Sequence, residues 1–167
     1  MNYRHAFHAG NFADLVKHAA LLWVISRLQR EAGALRIIDT HGGSGLYDLR
    51  GPEAKRSGEA EAGVMRLMAA SDPPEEISAL IAAVHAANDG GETVLYPGSP
   101  WLIAQALRAS DTYKAFEMQP DEHRRLLRLM AGRRGVETRC ADGFAEARQA
   151  LAPQDRHLIL IDPPFER

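Results

Sequence analysis

The C-terminal stretch LILIDPPFER places an acid, two prolines and an aromatic ring directly after an apolar run. Proline cannot extend a central strand, and Pro163 and Pro164 each fix a backbone φ angle, so a rigid turn is expected. Such a turn would hold the Asp162 carboxylate and the Phe165 ring at the edge of a sheet. A planar ligand with an exocyclic amino group needs both, because the ring offers a stacking face and the carboxylate accepts the N–H. The alternative is that the motif only terminates the strand.

Acidic residues also follow the other predicted strands. Asp39 ends the apolar run LRIID, Glu117 follows the second strand and Asp142 follows the third. In open parallel sheets, ligands bind outside the carboxyl ends of the strands, and an acid after the second strand commonly holds a ribose diol. Four strand ends therefore carry an acid where a ligand would bind. The alternatives are that Ser99 and Asp142 only cap helices and that Glu117 is a solvated surface acid.

The turn after the first strand, THGGSGL, is rich in glycine and contains His41. It lacks the Gly-Lys-Ser/Thr of a phosphate-binding loop, which argues against a nucleoside triphosphatase. A plain turn, in which His41 packs or hydrogen-bonds locally, is the alternative to a ligand site. The sequence shows no zinc-type arrangement of Cys and His residues, so no metal is expected.

Alternating helices and strands must position these residues. The predicted elements are helices at 12–29, 120–131 and 143–150 and strands at 35–39, 113–118, 136–141 and 157–161. Ser99 and Pro100 open a further helix. This order predicts an α/β protein with a parallel, doubly wound sheet. Residues 52–91 are rich in alanine and glutamate, and we interpret them as a helical insertion.

The N-terminal helix carries a broad apolar face, together with a polar group in its first turns. Asn11 is the expected N-cap, with Asp14 three residues later as in a capping box. Asp14, Lys17 and His18 share one side of the helix. The apolar side is formed by Leu15, Val16, Ala19, Leu22 and Trp23.

The composition is that of a globular protein of one domain, since 167 residues with 46% hydrophobic content can bury a core. The formal net charge of −2 does not by itself indicate a nucleic-acid partner, although arginines crowd one short region. They are Arg124, Arg125, Arg128, Arg133 and Arg134. The single cysteine, Cys140, suits a reducing compartment, and no apolar run is long enough to span a bilayer, so we expect a cytoplasmic protein.

Several blocks of the sequence resemble a known family. The Asp-Pro-Pro-Phe turn is similar to the motif of class I, S-adenosylmethionine-dependent methyltransferases that act on adenine N6. The blocks YRHAFHAGNFADLVKH, DTHGGSGLY, YPGSP, ADGF and LILIDPPFE together resemble the bacterial 23S ribosomal RNA adenine-N6 methyltransferase J family. The resemblance covers the whole chain, and its N-terminal block is the most specific part. It implies a Rossmann-like α/β fold.

The resemblance also implies roles for individual residues. The expected contacts to S-adenosylmethionine are His18, His41, Ser99, Glu117, Asp142, Gly143 and Asp162. Asp162 would in addition accept the proton of the target amine. Lys17 would lie near the reaction centre, Tyr3 would meet the RNA, and the flipped adenine would stack on Phe165.

The family implies an architecture and partners as well. Its members continue past residue 167 with further strands, so we expect residues 1–167 to be a partial methyltransferase domain. It would comprise an N-terminal motif and helix over 1–33 and the helical insertion over 52–91. The expected partner is 23S ribosomal RNA, with no membrane, and an exposed edge of the last strand would favour an oligomer. Three alternatives stay open: a DNA adenine methyltransferase, a protein amide methyltransferase and a non-catalytic RNA-binding fragment.

Overall fold

The computed structural model describes residues 8–163, except for the side chain of residue 53. The described residues fall into two compact units. The first unit contains the segment up to Val24 and residues Leu46–Gly98. The second unit contains Ile25–Gly45 and the residues from Ser99 onwards. The helices are α1 Phe12–Leu28, α2 Pro52–Ser57, α3 Arg66–Met68, α4 Ser78–Ala87, α5 Ser99–Ala106, α6 Pro120–Met130 and α7 Gly143–Ala150. The strands are β1 Leu35–Asp39, β2 Leu46–Asp48, β3 Leu95–Pro97, β4 Thr112–Phe116, β5 Val136–Arg139 and β6 Arg156–Leu160.

The second unit is built on a four-stranded parallel sheet in the order β5-β4-β1-β6. The chain moves from β1 outward through β4 to β5 and then returns to the other side of β1 as β6. The strand order therefore reverses between β1 and β6, which is the position where ligands bind in doubly wound sheets. β1 pairs on both sides, and its register places Ile37 opposite Tyr113 on one side and Leu158 on the other.

Helices cover both faces of this sheet. Because side chains alternate along a strand, Ile38 and Phe116 lie on one face, where they form a cluster with Ala147 of α7. On the opposite face, Ala115 lies near Pro100 of α5 and Leu126 of α6, around Gly42. The predicted α/β class and doubly wound parallel sheet are thus confirmed, and each predicted element is present with ends shifted by at most two residues.

The first unit contains a short antiparallel pair that the sequence pattern did not predict. β2 pairs with β3, so that Tyr47 lies opposite Tyr96. Each strand has three residues, which is too short for an alternating pattern to stand out. Between them, residues 52–91 form helical segments, as predicted, including a π-helical turn at Glu61–Met65. The assignment of all residues to one partial methyltransferase domain stays a prediction.

The face that α1 buries differs from the predicted one. Phe12, Val16 and Trp23 are 75%, 54% and 60% exposed, whereas Asp14 and His18 are buried. The apolar pattern alone predicted that Val16 and Trp23 would lie on the buried face of the helix. The polar side chains can be buried because each has a partner, Asp14 accepting from the Gly10 N–H and His18 contacting the Tyr96 hydroxyl. Asn11 caps α1 as predicted, its side chain accepting from the Asp14 N–H at 2.9 Å.

A close backbone contact joins the insertion to the N-terminal segment inside the first unit. The Val64 N–H donates to the Gly10 carbonyl oxygen at 2.8 Å. A Cβ at Gly63 would lie 2.0 Å from the same oxygen, so the approach requires glycine. Across the described residues, no helix combines the length and the apolar character needed to cross a bilayer.

Candidate active site

The centre of the candidate site is Asp39, at the carboxyl end of β1. Its side chain is fully buried and accepts three hydrogen bonds. The Ser99 hydroxyl donates to Oδ2 at 2.7 Å, and the Tyr113 hydroxyl donates to the same oxygen at 3.1 Å. The His41 N–H donates to Oδ1 at 3.1 Å. Asp39 therefore joins β1, β4, the start of α5 and the glycine-rich turn at the point where the strand order reverses.

Two opposing effects act on the Asp39 carboxyl group. Burial raises its pKa, and the hydrogen bonds from Ser99, His41 and Tyr113 act in the lowering direction. The negative charge of Asp162 raises the pKa of Asp39 further. Asp162 follows β6 and is thus electrostatically coupled to the acid at the end of β1, as expected for side chains on the two sides of the switch point.

Glu117, after β4, is tied to the glycine-rich turn. Its Oε2 accepts from the Gly43 N–H at 2.9 Å, and its Oε1 accepts from the Gln119 N–H at 2.7 Å. The turn is further held by the Gly42 N–H, which donates to the Phe116 carbonyl oxygen at 2.8 Å. Glu117 is half-buried, so part of its carboxylate is still open to a ligand at this edge.

Asp142 and Gly143 open α7 next to the same turn. The Asp142 side chain caps the helix, its Oδ1 accepting from the N–H groups of Phe144 at 2.9 Å and Ala145 at 3.4 Å. The capping role considered from the sequence is therefore confirmed for Asp142. At Gly143, an added Cβ would lie 2.1 Å from the Thr40 carbonyl oxygen, so the start of α7 lies directly against the end of β1.

His41 is oriented by two neighbours. Its Nδ1 lies 2.7 Å from the Thr40 hydroxyl oxygen, and its ring meets the edge of the Phe144 ring at 5.1 Å between centroids. The ring is half-buried. The Ser99 hydroxyl donates to the buried Asp39 carboxylate at 2.7 Å, which gives Ser99 a contact beyond the helix that it opens.

The first unit carries the other two candidates that the structure describes. Lys17 forms an ion pair with Asp14 at 2.9 Å, and both side chains lie on one side of α1, as predicted. His18 is buried, with Nδ1 2.8 Å from the Tyr96 hydroxyl and the two rings stacked at 5.6 Å. Burial, helped by the negative charge of Asp14, raises the pKa of Tyr96 well above its usual range, so this phenol keeps its hydrogen.

The structure thus brings most of the predicted site together in the second unit. His41, Ser99, Glu117, Asp142, Gly143 and Asp162 all stand at strand ends or helix starts along one sheet edge. Tyr3 and Phe165 lie outside the described residues. Sequence patterns assigned no role to Thr40 or Tyr113, and they identified Asp39 only as one acid among four. Its position at the end of an apolar, central strand was the signal that it would be buried. In the described part of the chain, no three His, Cys, Asp or Glu side chains are grouped to hold a metal ion.

Comparison with known proteins identifies the family. The model of the family described as "Ribosomal RNA large subunit methyltransferase D, RlmJ" matches residues 32–167. The chain belongs to this family. It is 36% identical over 167 residues to "Ribosomal RNA large subunit methyltransferase J" of Escherichia coli K12. It is 34% identical over 168 residues to the protein of the same name from Haemophilus influenzae.

The similarity covers nearly all of this chain but only part of its relatives. The chain is matched over 99% of its length, and it spans 60% of the length of both curated relatives. Its fold is similar to the crystal structure of a Legionella pneumophila protein described under DUF519, with a TM-score of 0.87 at 31% identity. That match covers 96% of this chain and 59% of the other. The fold and the family are therefore established for this segment.

Proposed function

We propose that this chain binds S-adenosylmethionine and forms the cofactor-binding part of an enzyme that methylates the N6 amine of an adenine in 23S ribosomal RNA. The observation that carries the proposal is the row of polar groups at the carboxyl ends of parallel strands on both sides of the switch point. Family membership makes a methyl transfer to large-subunit ribosomal RNA the expected reaction, since the curated relatives are named for it. A protein that modifies this RNA would act in the cytoplasm, where ribosomes assemble.

The residues present fit the parts of this cofactor. Glu117, at the end of β4, is suited to the ribose hydroxyls, and Asp142, at the end of β5, is suited to the adenine. His41 and Ser99 lie at the turn after β1 and the start of α5, close to the same edge. Gly143 keeps the start of α7 close to β1, where a side chain would intrude. By the family resemblance, His18 is a further candidate for cofactor contact.

The chemistry required of the protein is mainly alignment and removal of a proton. The sulfonium of the cofactor supplies an activated methyl group, so positioning accounts for much of the rate. The adenine amino nitrogen is a poor nucleophile because its lone pair is delocalised into the ring. An acceptor at Asp162 would withdraw its N–H hydrogen and allow the nitrogen to pyramidalise. Three further residues complete the proposed set. Lys17 would lie near the reaction centre, Phe165 would stack on the flipped base, and Tyr3 would contact the RNA.

Two competing functions follow from specific observations. The Asp-Pro-Pro-Phe turn suits any planar amine or amide, so a DNA adenine or a protein amide would also fit the motif. The names of the curated relatives favour ribosomal RNA over both. A non-catalytic RNA-binding role is the other alternative for this segment, which spans 60% of the length of the curated relatives.

Two measurements test the proposal. Calorimetry of this chain with S-adenosylhomocysteine should show saturable binding at one site, and failure to bind would overturn the cofactor assignment. Transfer of a labelled methyl group to protein-free 23S ribosomal RNA should be seen with a protein that carries this segment and the remaining length of the family. Label in double-stranded DNA or in protein, and none in RNA, would instead support the corresponding alternative. Binding of RNA without any transfer would support the non-catalytic role.

A further inference from the structure

The Thr40 hydroxyl lies between two groups, and their chemistry decides where its hydrogen goes. On one side, Oγ1 is 3.1 Å from the Leu160 carbonyl oxygen of β6. On the other side, it is 2.7 Å from Nδ1 of His41. Thr40 is buried, so no alternative placement of the hydroxyl in solvent competes with these two contacts.

Counting hydrogens leaves one arrangement that satisfies both contacts. A carbonyl oxygen can only accept, and a threonine hydroxyl has a single hydrogen to donate. If that hydrogen went to His41, two oxygens would face each other at 3.1 Å with no hydrogen between them. The hydroxyl therefore donates to Leu160, and the contact of 2.7 Å requires that His41 donate through Nδ1.

A neutral imidazole with its hydrogen on Nδ1 has a lone pair on Nε2. Among the described residues, none donates a hydrogen bond to Nε2 of His41, while the edge contact with Phe144 holds the ring in place. That nitrogen can therefore accept a hydrogen bond from a donor group of a ligand bound at the carboxyl ends of the strands.

The sheet order indicates which part of the ligand this donor belongs to. Under the proposed function, the adenine lies at the end of β5 and the ribose at the end of β4. Neighbouring strands are about 4.8 Å apart, so the next group of the ligand along the edge reaches the end of β1, where His41 is. In S-adenosylmethionine, that next group is the amino-acid portion, whose ammonium is a cationic donor.

We infer that Thr40 is a positioning residue that fixes neutral His41 with its hydrogen on Nδ1, so that Nε2 accepts a hydrogen bond from the α-ammonium of the cofactor's amino-acid portion. The identity of the ligand rests on the proposed function. The tautomer of His41 does not, because it follows from the contacts of Thr40 alone.

The tautomer is measured first, in the ligand-free chain. Two-bond ¹H–¹⁵N correlation spectra of the ¹⁵N-labelled protein distinguish the two neutral forms of each of its seven histidines. A His41→Gln variant identifies the signals of His41. The expected pattern is hydrogen on Nδ1 at a pH where the ring is neutral. A pattern with hydrogen on Nε2 would overturn the inference, whether or not the chain binds the cofactor.

A matched pair of variants then tests the role of the hydroxyl. Thr40→Val keeps the shape of the buried side chain but removes the oxygen, whereas Thr40→Ser keeps the oxygen. In the valine variant, His41 should lose its preference for Nδ1–H, and the affinity for S-adenosylhomocysteine should fall about tenfold, the effect of one lost hydrogen bond of 1.4 kcal/mol. The serine variant should retain the tautomer and bind within about twofold of the parent.

A second ligand shows which group His41 contacts. The analogue of S-adenosylhomocysteine that lacks the α-amino group should bind the parent and the Thr40→Val variant about equally. An equal loss for both ligands would mean that the valine disturbs the site generally, and it would overturn the ammonium assignment. If the parent binds neither ligand while His41 shows the expected tautomer, the proposed function fails and the positioning role of Thr40 stands.

Discussion

A Cβ at position 143 would lie 2.1 Å from the carbonyl oxygen of Thr40, so the start of α7 and the end of β1 meet backbone to backbone. Thr40 has little freedom to move, because both its N–H and its hydroxyl donate to the Leu160 carbonyl oxygen of β6. Three elements of the candidate site are thus fixed to one another at Gly143. The same contact makes the sequence of this turn sensitive to substitution.

Gly143→Ala should therefore destabilise the chain. Forcing a methyl group against the Thr40 backbone costs about 1–3 kcal/mol, as for other overpacked sites. Urea unfolding followed by circular dichroism measures the change. Gln149→Ala, on the exposed side of the same helix, is the control and should stay within about 0.5 kcal/mol of the parent. Equal stabilities for both variants would contradict the close contact.

Asp111 should make the stability of the second unit depend on acid pH. Burial alone would raise its pKa, but the hydrogen bonds from Arg108, the Leu35 N–H and Gln29 outweigh burial and hold the pKa well below its usual range. A carboxyl with a lowered pKa in the folded state stabilises the protein above its unfolded pKa of about 3.9, and this stabilisation is lost as pH falls further.

The test compares Asp111→Asn with the parent by urea unfolding at several pH values. The variant should be less stable at pH 7, and its unfolding midpoint should fall less steeply below about pH 4. Asp155→Asn, whose ion pair with Arg36 is partly exposed, is the control and should behave like the parent. An unchanged acid dependence in the Asp111 variant would show that another group is responsible.

Glu117→Ala should weaken binding of S-adenosylhomocysteine by about 1–3 kcal/mol, the cost of losing hydrogen bonds to a charged group. The variant would lose the proposed ribose acceptor, and it loses the contact with the Gly43 N–H that holds the glycine-rich turn. Calorimetry gives the affinity, and Asp121→Ala, an exposed acid in the first turn of α6, serves as the comparison. Affinity equal to that of the parent would exclude Glu117 from the cofactor site.

Asp162→Ala should abolish methylation while leaving most of the cofactor affinity. The prolines preset the turn, so its backbone should survive without the carboxylate. In the proposed mechanism, the carboxylate acts on the incoming amine, and this interaction would grow in the transition state and therefore appear in the rate. Labelled methyl transfer is measured in a protein with the full length of the family, with Asp155→Ala as control. Transfer within a few-fold of the parent would mean that Asp162 is not the proton acceptor.

The arginines on and after α6 should make RNA binding dependent on salt. Arg124 and Arg125 pair with Asp121 and Glu122 one turn away. In the described part of the chain, Arg128, Arg133 and Arg134 have no ion pair with an acid. The alternative is that all five arginines form a solvated surface and contact no RNA phosphate.

Replacing these three arginines with glutamine measures their contribution. If each contacts one phosphate, the slope of log affinity against log salt should fall by about 2–3 in the triple variant. Filter binding or fluorescence anisotropy between low and physiological ionic strength gives the slope. Arg50→Gln, which breaks a pair with Asp48 in the first unit, is the control. An unchanged slope in the triple variant would assign these arginines to the solvated surface.

Local signals in the sequence predicted most of the elements of the second unit. The run LRIID is β1 because apolar, β-branched residues end at an acid and a glycine-rich turn. Pro120 begins α6 and Asp142 caps α7, since these residues act on neighbours a few positions away. The alternation of these elements then limits the sheet to a parallel, doubly wound form.

Contacts between distant residues decided what the sequence left open. Asp39 and Ser99 are 60 positions apart, and their hydrogen bond forms only because the end of β1 lies against the start of α5. His18 is buried against Tyr96, 78 positions away, which turned the polar side of α1 inward and left Trp23 exposed. The apolar periodicity of a sequence indicates only which face of a helix avoids water on average. A polar side chain with a buried hydrogen-bonding partner reverses that preference, and such a partner is supplied by the tertiary structure.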